Sequence, residues 1–159
     1  MPDEPSEYAF LNETSALVRE LFYYWDRCRH AAAMPRRADF DPMQMPRQLP
    51  GIMLVNVEGV DEAGIGVFRY RLVGSNEVEN RRHDPTGKLV GEGYFGPSLE
   101  EAIADYERVR TSRTFLYKPL NFLAHGYKDI DEYSILLPFS EDGETVSQIL
   151  VYSERRERG

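Results

Sequence analysis

The hydrophobic period of the chain changes once, at Gly51, and that change limits the folds open to it. Before Gly51, residues Leu11, Thr14, Val18, Leu21, Trp25, Cys28 and Ala32 recur at alternating spacings of three and four. Such spacing places them on one stripe of a helix. It predicts a helix over about 12–33, and Leu17, Phe22 and Tyr24 widen its apolar face. A face that wide must be covered, by the rest of the domain or by a second copy of the chain. Met34-Pro35 ends the helix, because the residue before proline is pushed out of helical geometry. Between the two regimes lies a proline-punctuated connector. There Asp41, Pro42 and Gln44 have the spacing of an N-cap, a first helical residue and a capping-box partner.

After Gly51 the period is two. Residues 52–57 read as a strand, and a loop through Gly59, Asp61 and Gly64 leads to a second. In that second strand Phe68, Tyr70 and Leu72 alternate with Arg69 and Arg71, the pattern of a half-buried antiparallel strand. Residues 74–96 carry five glycines and little periodicity. Ser98 then opens a second clear helix, with Glu101 at the capping-box position and Leu99, Ala102, Ile103, Tyr106 and Val109 on its apolar side. Strands are predicted over 114–122, 132–139 and 145–152, the last two joined at Asp142-Gly143, a strong hairpin signal. The expected class is α+β: five antiparallel strands, helices gathered on one face, and a flanking N-terminal helix. The expected divisions are a flexible tail over 1–11, helix and connector over 12–50, the core over 51–153, and a charged tail over 154–159.

Composition removes several functions. The 159 residues hold 19 Lys+Arg against 27 Asp+Glu, a net charge of −8. That disfavours nucleic acid, whose phosphates demand a basic surface, and an anionic membrane for the same reason. One cysteine, Cys28, leaves no disulfide framework and no thiolate zinc site, which fits a reducing compartment. The N-terminus is acidic, where a secretory signal needs a basic start and an apolar run. A cytoplasmic location is the expectation.

Several motifs together resemble the PAS sensor family, in one bacterial branch. They are Tyr24-Trp25, the run Pro35-Arg36-Arg37-Ala38-Asp39-Phe40-Asp41-Pro42, Leu49-Pro50, Phe68-Arg69-Tyr70-Arg71-Leu72-Val73-Gly74-Ser75, and Asp84-Pro85-Thr86-Gly87. Arg82-His83 departs from the pattern, where the family usually has a glycine. The resemblance implies a five-stranded antiparallel sheet with a cavity between sheet and helices, used for small-molecule sensing or partner contact. It carries over no catalytic residue.

The cofactor signals point away from three groups. A covalently bound flavin is expected to use a cysteine after the second strand, and Cys28 lies on the first helix. Haem would take a histidine from the helix before the third strand, which has none. His30, His83 and His125 fall on three separate segments, a poor set for zinc or haem. Arg69 and Arg71 read as an exposed face paired to acids, and Arg36, Arg37, Arg81, Arg82 and His83 as solvated loop charges.

The reading is therefore a stand-alone sensory domain with no catalytic residues. It would bind a small apolar or amphipathic ligand, an unidentified signalling partner, or both. The candidate pocket is Phe68, Tyr70, Leu72, Tyr106, Tyr117 and Ile135, which supply apolar area and phenolic tips. The candidate homodimer anchors are Val18, Leu21 and Trp25 on the first helix; the alternative for that helix is to fold back on its own sheet. Two further readings stay open. One is a small enzyme using Asp129, Asp131 and Glu132 near His125 and Tyr127. The other is a ligand-free adaptor with a filled core.

Overall fold

The computed structural model describes residues 6–124 and 128–158. Five strands form one sheet: β1 (Ile52–Val60), β2 (Gly66–Val73), β3 (Leu116–Ala124), β4 (Lys128–Phe139) and β5 (Gln148–Glu157). Their order is β2-β1-β5-β4-β3, and every neighbouring pair is antiparallel. Helix α1 (Ala16–Cys28) precedes the sheet, and α2 (Ser75–Arg81), α3 (Val90–Gly93) and α4 (Leu99–Ser112) lie between β2 and β3.

Because side chains alternate along a strand, the sheet has two apolar faces and two cores. Ile52, Leu54, Ile135, Leu137, Leu150 and Tyr152 pack with α1 on one face. Met53, Val55, Leu136, Ile149 and Val151 pack with Val90, Tyr106 and Val109 of α3 and α4 on the other. Residues one apart in sequence thus belong to different cores.

Helix α1 is shorter than the periodicity predicts. The Ser15 hydroxyl accepts the Val18 N–H at 3.2 Å and caps the start. At the other end His30 and Ala31 both take left-handed backbone angles, φ 47° and 69°, so the chain turns before Pro35 is reached. Residues 6–11, expected in a flexible tail, form with Asn12 the 3-10 helix Ser6–Asn12. Its Tyr8 and Phe10 rings lie 5.9 Å and 5.5 Å from the Phe22 ring.

The dimer anchors are corrected by this packing. Val18, Leu21 and Trp25 are no more than 1% exposed, all covered by the protein's own sheet. The Trp25 indole N–H donates to the Pro138 carbonyl at 3.0 Å, which ties the helix to β4. The wide stripe on α1 is satisfied within one chain, so these side chains are not available to a second copy.

The connector is built from 3-10 turns at Arg37–Asp39, Pro42–Gln44 and Leu49–Gly51. Asp41 caps the middle one through Met43 N–H at 3.0 Å. Its own N–H goes to the Tyr24 hydroxyl at 3.0 Å rather than to Gln44, so the box is completed from α1. The hairpin at Asp142-Gly143 forms: Asp142 accepts from the N–H groups of Glu144 and Thr145 at 2.9 and 2.7 Å, and Gly143 has φ 82°.

Candidate functional site

The pocket proposed from the sequence is divided by the sheet. Phe68, Tyr70 and Tyr106 do meet on the α3–α4 face. Phe68 stacks on Tyr106 with ring centres 5.2 Å apart. Leu72 is separated from them by a β-bulge: Tyr70 pairs with Val55 and Leu72 with Leu54, so Arg71 is the extra residue. The slip turns Leu72 to the α1 side, where it is 40% exposed. Tyr117 and Ile135 face each other across β3 and β4, also on the α1 side, where both join the α1 core. Those three residues do not line the helix-covered cavity, nor does Phe68 on the cavity's own face, so of the six only Tyr70 and Tyr106 do.

What does line it is more polar. A cavity of about 70 Å³ lies between the sheet and α2–α4, walled by Met53, Tyr70, Arg81, Tyr94, Phe95, Tyr106, Leu120, Leu136 and Val151. Ser134, Ser153, Glu132, Arg155, Lys118, Asp105, Glu101 and Ala102 complete the wall. Its floor is a chain of buried ions of alternating sign. Arg81 donates to Glu77 Oε2 at 2.8 Å, Arg155 donates to Glu77 Oε1 at 2.8 Å, and Arg155 Nε pairs with Glu132. The Glu77 and Arg81 side chains are 1% and 2% exposed. At the mouth Lys118 binds Asp105 at 2.9 Å, with Glu101 3.9 Å away.

Each of these charges is held by its local structure. Glu77 and Arg81 stand four apart on α2, one turn along the same face. Arg81 Nε donates to the Gly93 carbonyl at 2.8 Å, and a side chain at Gly93 would place its Cβ 2.6 Å from Pro85 Cβ. The glycine therefore lets α3 approach closely enough to accept that bond. Arg81 also lies over the Tyr70 ring, and Arg155 over Phe95, at 5.4 and 5.5 Å. Arg155 arrives because β5 runs on to Glu157, beyond the charged tail expected from residue 154.

Burial sets the protonation of the cavity wall. It pushes the Tyr106 hydroxyl well above the usual phenol range and the Tyr94 hydroxyl upward as well. Burial also raises Tyr70, offset in part by the Arg81 guanidinium. The Glu132 carboxyl rises too, burial outweighing the pull of Arg155. Burial opposes the Arg81 charge, but Tyr70 and Glu77 together hold it in place.

β1 begins at Ile52, opposite Tyr152, so β5 beyond Tyr152 is paired only with β4. The opening becomes an outer groove of about 690 Å³ between the start of α1, α2 and the end of β5. Ser153 and Arg155 line both groove and cavity, and Glu77 lines the groove from behind. The Glu77–Arg155 pair is the wall between them.

The other sequence candidates lie apart from this site. Arg69 pairs with Glu58 at 2.9 Å and donates to the Gly87 carbonyl, while Arg71 is exposed. Asp129 and Asp131 both accept from Asn121, and Arg158 holds the Asp131 carboxyl below its ordinary range. His125 and Tyr127 lie outside the described residues. Cys28 is buried in the α1 core, across the sheet from the cavity. Among the described residues no three His, Cys, Asp or Glu side chains are grouped to hold a metal ion. No helix of the described residues is long and apolar enough to cross a membrane. A cavity of this volume is well below the ~300 Å³ at which drug-sized ligand pockets begin, so a haem or flavin ring does not fit between these side chains.

A sequence profile of the PAS domain matches residues 13–151, and the chain belongs to that family. Comparison with curated proteins finds no match. Among solved structures, a LOV protein of Rhodobacter sphaeroides superposes with a TM-score of 0.47 at 14% identity, over 76% of this chain and 69% of that one. A fungal LOV domain photoreceptor gives 0.45 at 7% identity, over 76% and 94%. Family membership rests on the profile match, and the five-stranded antiparallel sheet with its helical cover is the fold expected of a sensor domain.

Proposed function

We propose that this PAS domain senses a small polar molecule held in the cavity between its sheet and α2–α4, without chemical turnover, and signals through a protein partner. One observation carries the reading. Protein interiors pack to the density of organic crystals, and buried charges cost several kcal/mol each unless fully paired. A cavity ringed by paired charges in one of two cores is costly as a purely structural feature. It makes sense as a site that exchanges its own ion pairs for those of a ligand. The contacts around Arg155 support a route outward: a ligand that draws Arg155 from Glu77 alters the wall of the outer groove. A partner seated at that groove would read the change as a shift in population.

The sequence expectation of an apolar or amphipathic ligand narrows to one with a polar end, since Tyr94, Phe95 and Leu120 share the wall with charged side chains. A reducing, cytoplasmic setting suits the lone buried thiol. A thermal-shift screen of small polar metabolites tests the proposal, with wild type beside Ala102→Leu, which fills the cavity from α4 without touching an ion pair. A binder should stabilise the wild type by about 2.7 kcal/mol at a hundredfold excess over its Kd. The shift should vanish in Ala102→Leu. A shift of equal size in both proteins would place binding elsewhere.

A further inference from the structure

We infer that the ligand is a small zwitterion of the amino-acid class, carrying an ammonium and a carboxylate on a short apolar stem. The inference rests on the cavity being the ligand site, and it adds the chemistry of the occupant.

Size comes first. A water needs roughly 10–15 Å³ of such space. The cavity of about 70 Å³ therefore takes about five to seven water-sized groups, the size of alanine or serine. Charge comes second. The cations Arg81, Arg155 and Lys118 are matched by the carboxylates Glu77, Glu132 and Asp105, while Glu101 stands 60% exposed at the mouth. A ligand with net charge would leave that charge uncompensated in a poorly hydrated space, and an apolar one would strip water from the ions for no return. A molecule with both signs and no net charge meets neither cost. Its carboxylate would take Arg155 or Lys118, and its ammonium the carboxylate that cation now holds, Glu132 or Asp105.

A third observation is independent of charge. Tyr106 is 6% exposed, lines the cavity, and its hydroxyl makes no hydrogen bond among the described residues. A hydroxyl on the cavity wall with no protein partner is free to bond an occupant. Burial keeps its proton on, so it is a ready donor to a carboxylate oxygen. Arg81, by contrast, is committed to Gly93, Glu77, Tyr70 and Met53, and serves as a fixed support.

The test is calorimetric titration of the full chain with L-alanine, propionate, ethylamine and 1,2-propanediol, after native mass spectrometry for any molecule retained on purification. Alanine should bind at least about tenfold tighter than the other three, each of which lacks one charge or both. Tyr106→Phe and Asp105→Asn should each weaken alanine by about tenfold, the loss of one charge-assisted hydrogen bond, while their unfolding midpoints stay near wild type. Propionate, ethylamine or the diol binding as tightly as alanine overturns the zwitterion and leaves the cavity as a ligand site. If none of the four binds, a retained zwitterion supports the inference, and a retained molecule of another class overturns it alone. No binding together with an empty protein mass overturns the cavity reading as well.

Discussion

The two faces of the sheet are built by opposite rules. On the α1 face, Trp25, Phe22, Leu21 and Phe139 are buried in a mainly apolar cluster whose aromatic rings meet edge to face, with the Arg29 guanidinium over the Trp25 ring at 4.9 Å. On the α2–α4 face, four alternating ions run beneath a cavity, and Tyr70, Tyr94 and Tyr106 bring phenolic groups to its wall. The first face gains from close packing, which needs no partner. The second carries buried charge that replacement by packed apolar groups could match or improve. A single sheet thus separates a structural core from a receptive one, because successive residues of each strand serve opposite sides.

The comparison breaks most visibly if α1 is weakened. Trp25→Ala removes the largest buried ring and the bond to Pro138, and should cost about 3–5 kcal/mol in chemical denaturation. A loss near that of a surface substitution would mean that α1 does not stay on the sheet. On the other face, Glu77→Leu leaves Arg81 buried without its carboxylate and should cost about 3 kcal/mol. Adding Arg81→Met should recover more than half of that loss, since no buried charge then lacks a partner. Failure of the double variant to recover would show that the ions hold the helices in place rather than tune a site.

Two smaller effects sharpen the contrast. Arg82 ends α2 in the left-handed region at φ 62°, where the PAS resemblance led to an expectation of glycine. Arg82→Gly should raise stability by about 0.5–1 kcal/mol, read from the denaturation midpoint. The smallest effect is in pH dependence. Glu132 is raised by burial, so its contribution is complete below the ordinary carboxylate range and is lost as pH climbs through the raised value. Asp142 is held down to about 2 by the Thr145 and Glu144 N–H groups, so its contribution is present above 3.8 and is lost as pH falls toward about 2. Denaturation midpoints across pH should therefore show Glu132→Gln gaining on wild type as pH rises and Asp142→Asn gaining as it falls.

Strand and helix positions were legible because each follows from a local pattern. The Ser98 cap, the Asp142-Gly143 turn and the alternation through Phe68 and Tyr70 all read directly from neighbouring residues. The face on which a side chain lies was less legible, because it depends on register. One extra residue at Arg71 moved Leu72, and Tyr117 and Ile135 took the α1 side by pairing with each other. The ion network was hidden for a different reason. Glu77 and Arg81 at a four-residue spacing look like a solvated pair, and only α3 closing over them makes them buried. Arg155, near the end of the chain, looked like tail charge until β5 carried it past the start of β1.

The central claim is that the α2–α4 face receives a ligand and the α1 face does not. Amide chemical-shift mapping of the labelled protein, titrated with L-alanine, tests it most directly. The account predicts saturable shifts at Tyr106 and its α4 neighbours, at Ser134 and Leu136 of β4, and at Ser153 and Arg155 of β5. Amides of Leu21, Phe22 and Trp25 should stay still. Shifts centred on α1 would contradict it, as would no saturable shift on the sheet of a protein that retains no small molecule on purification.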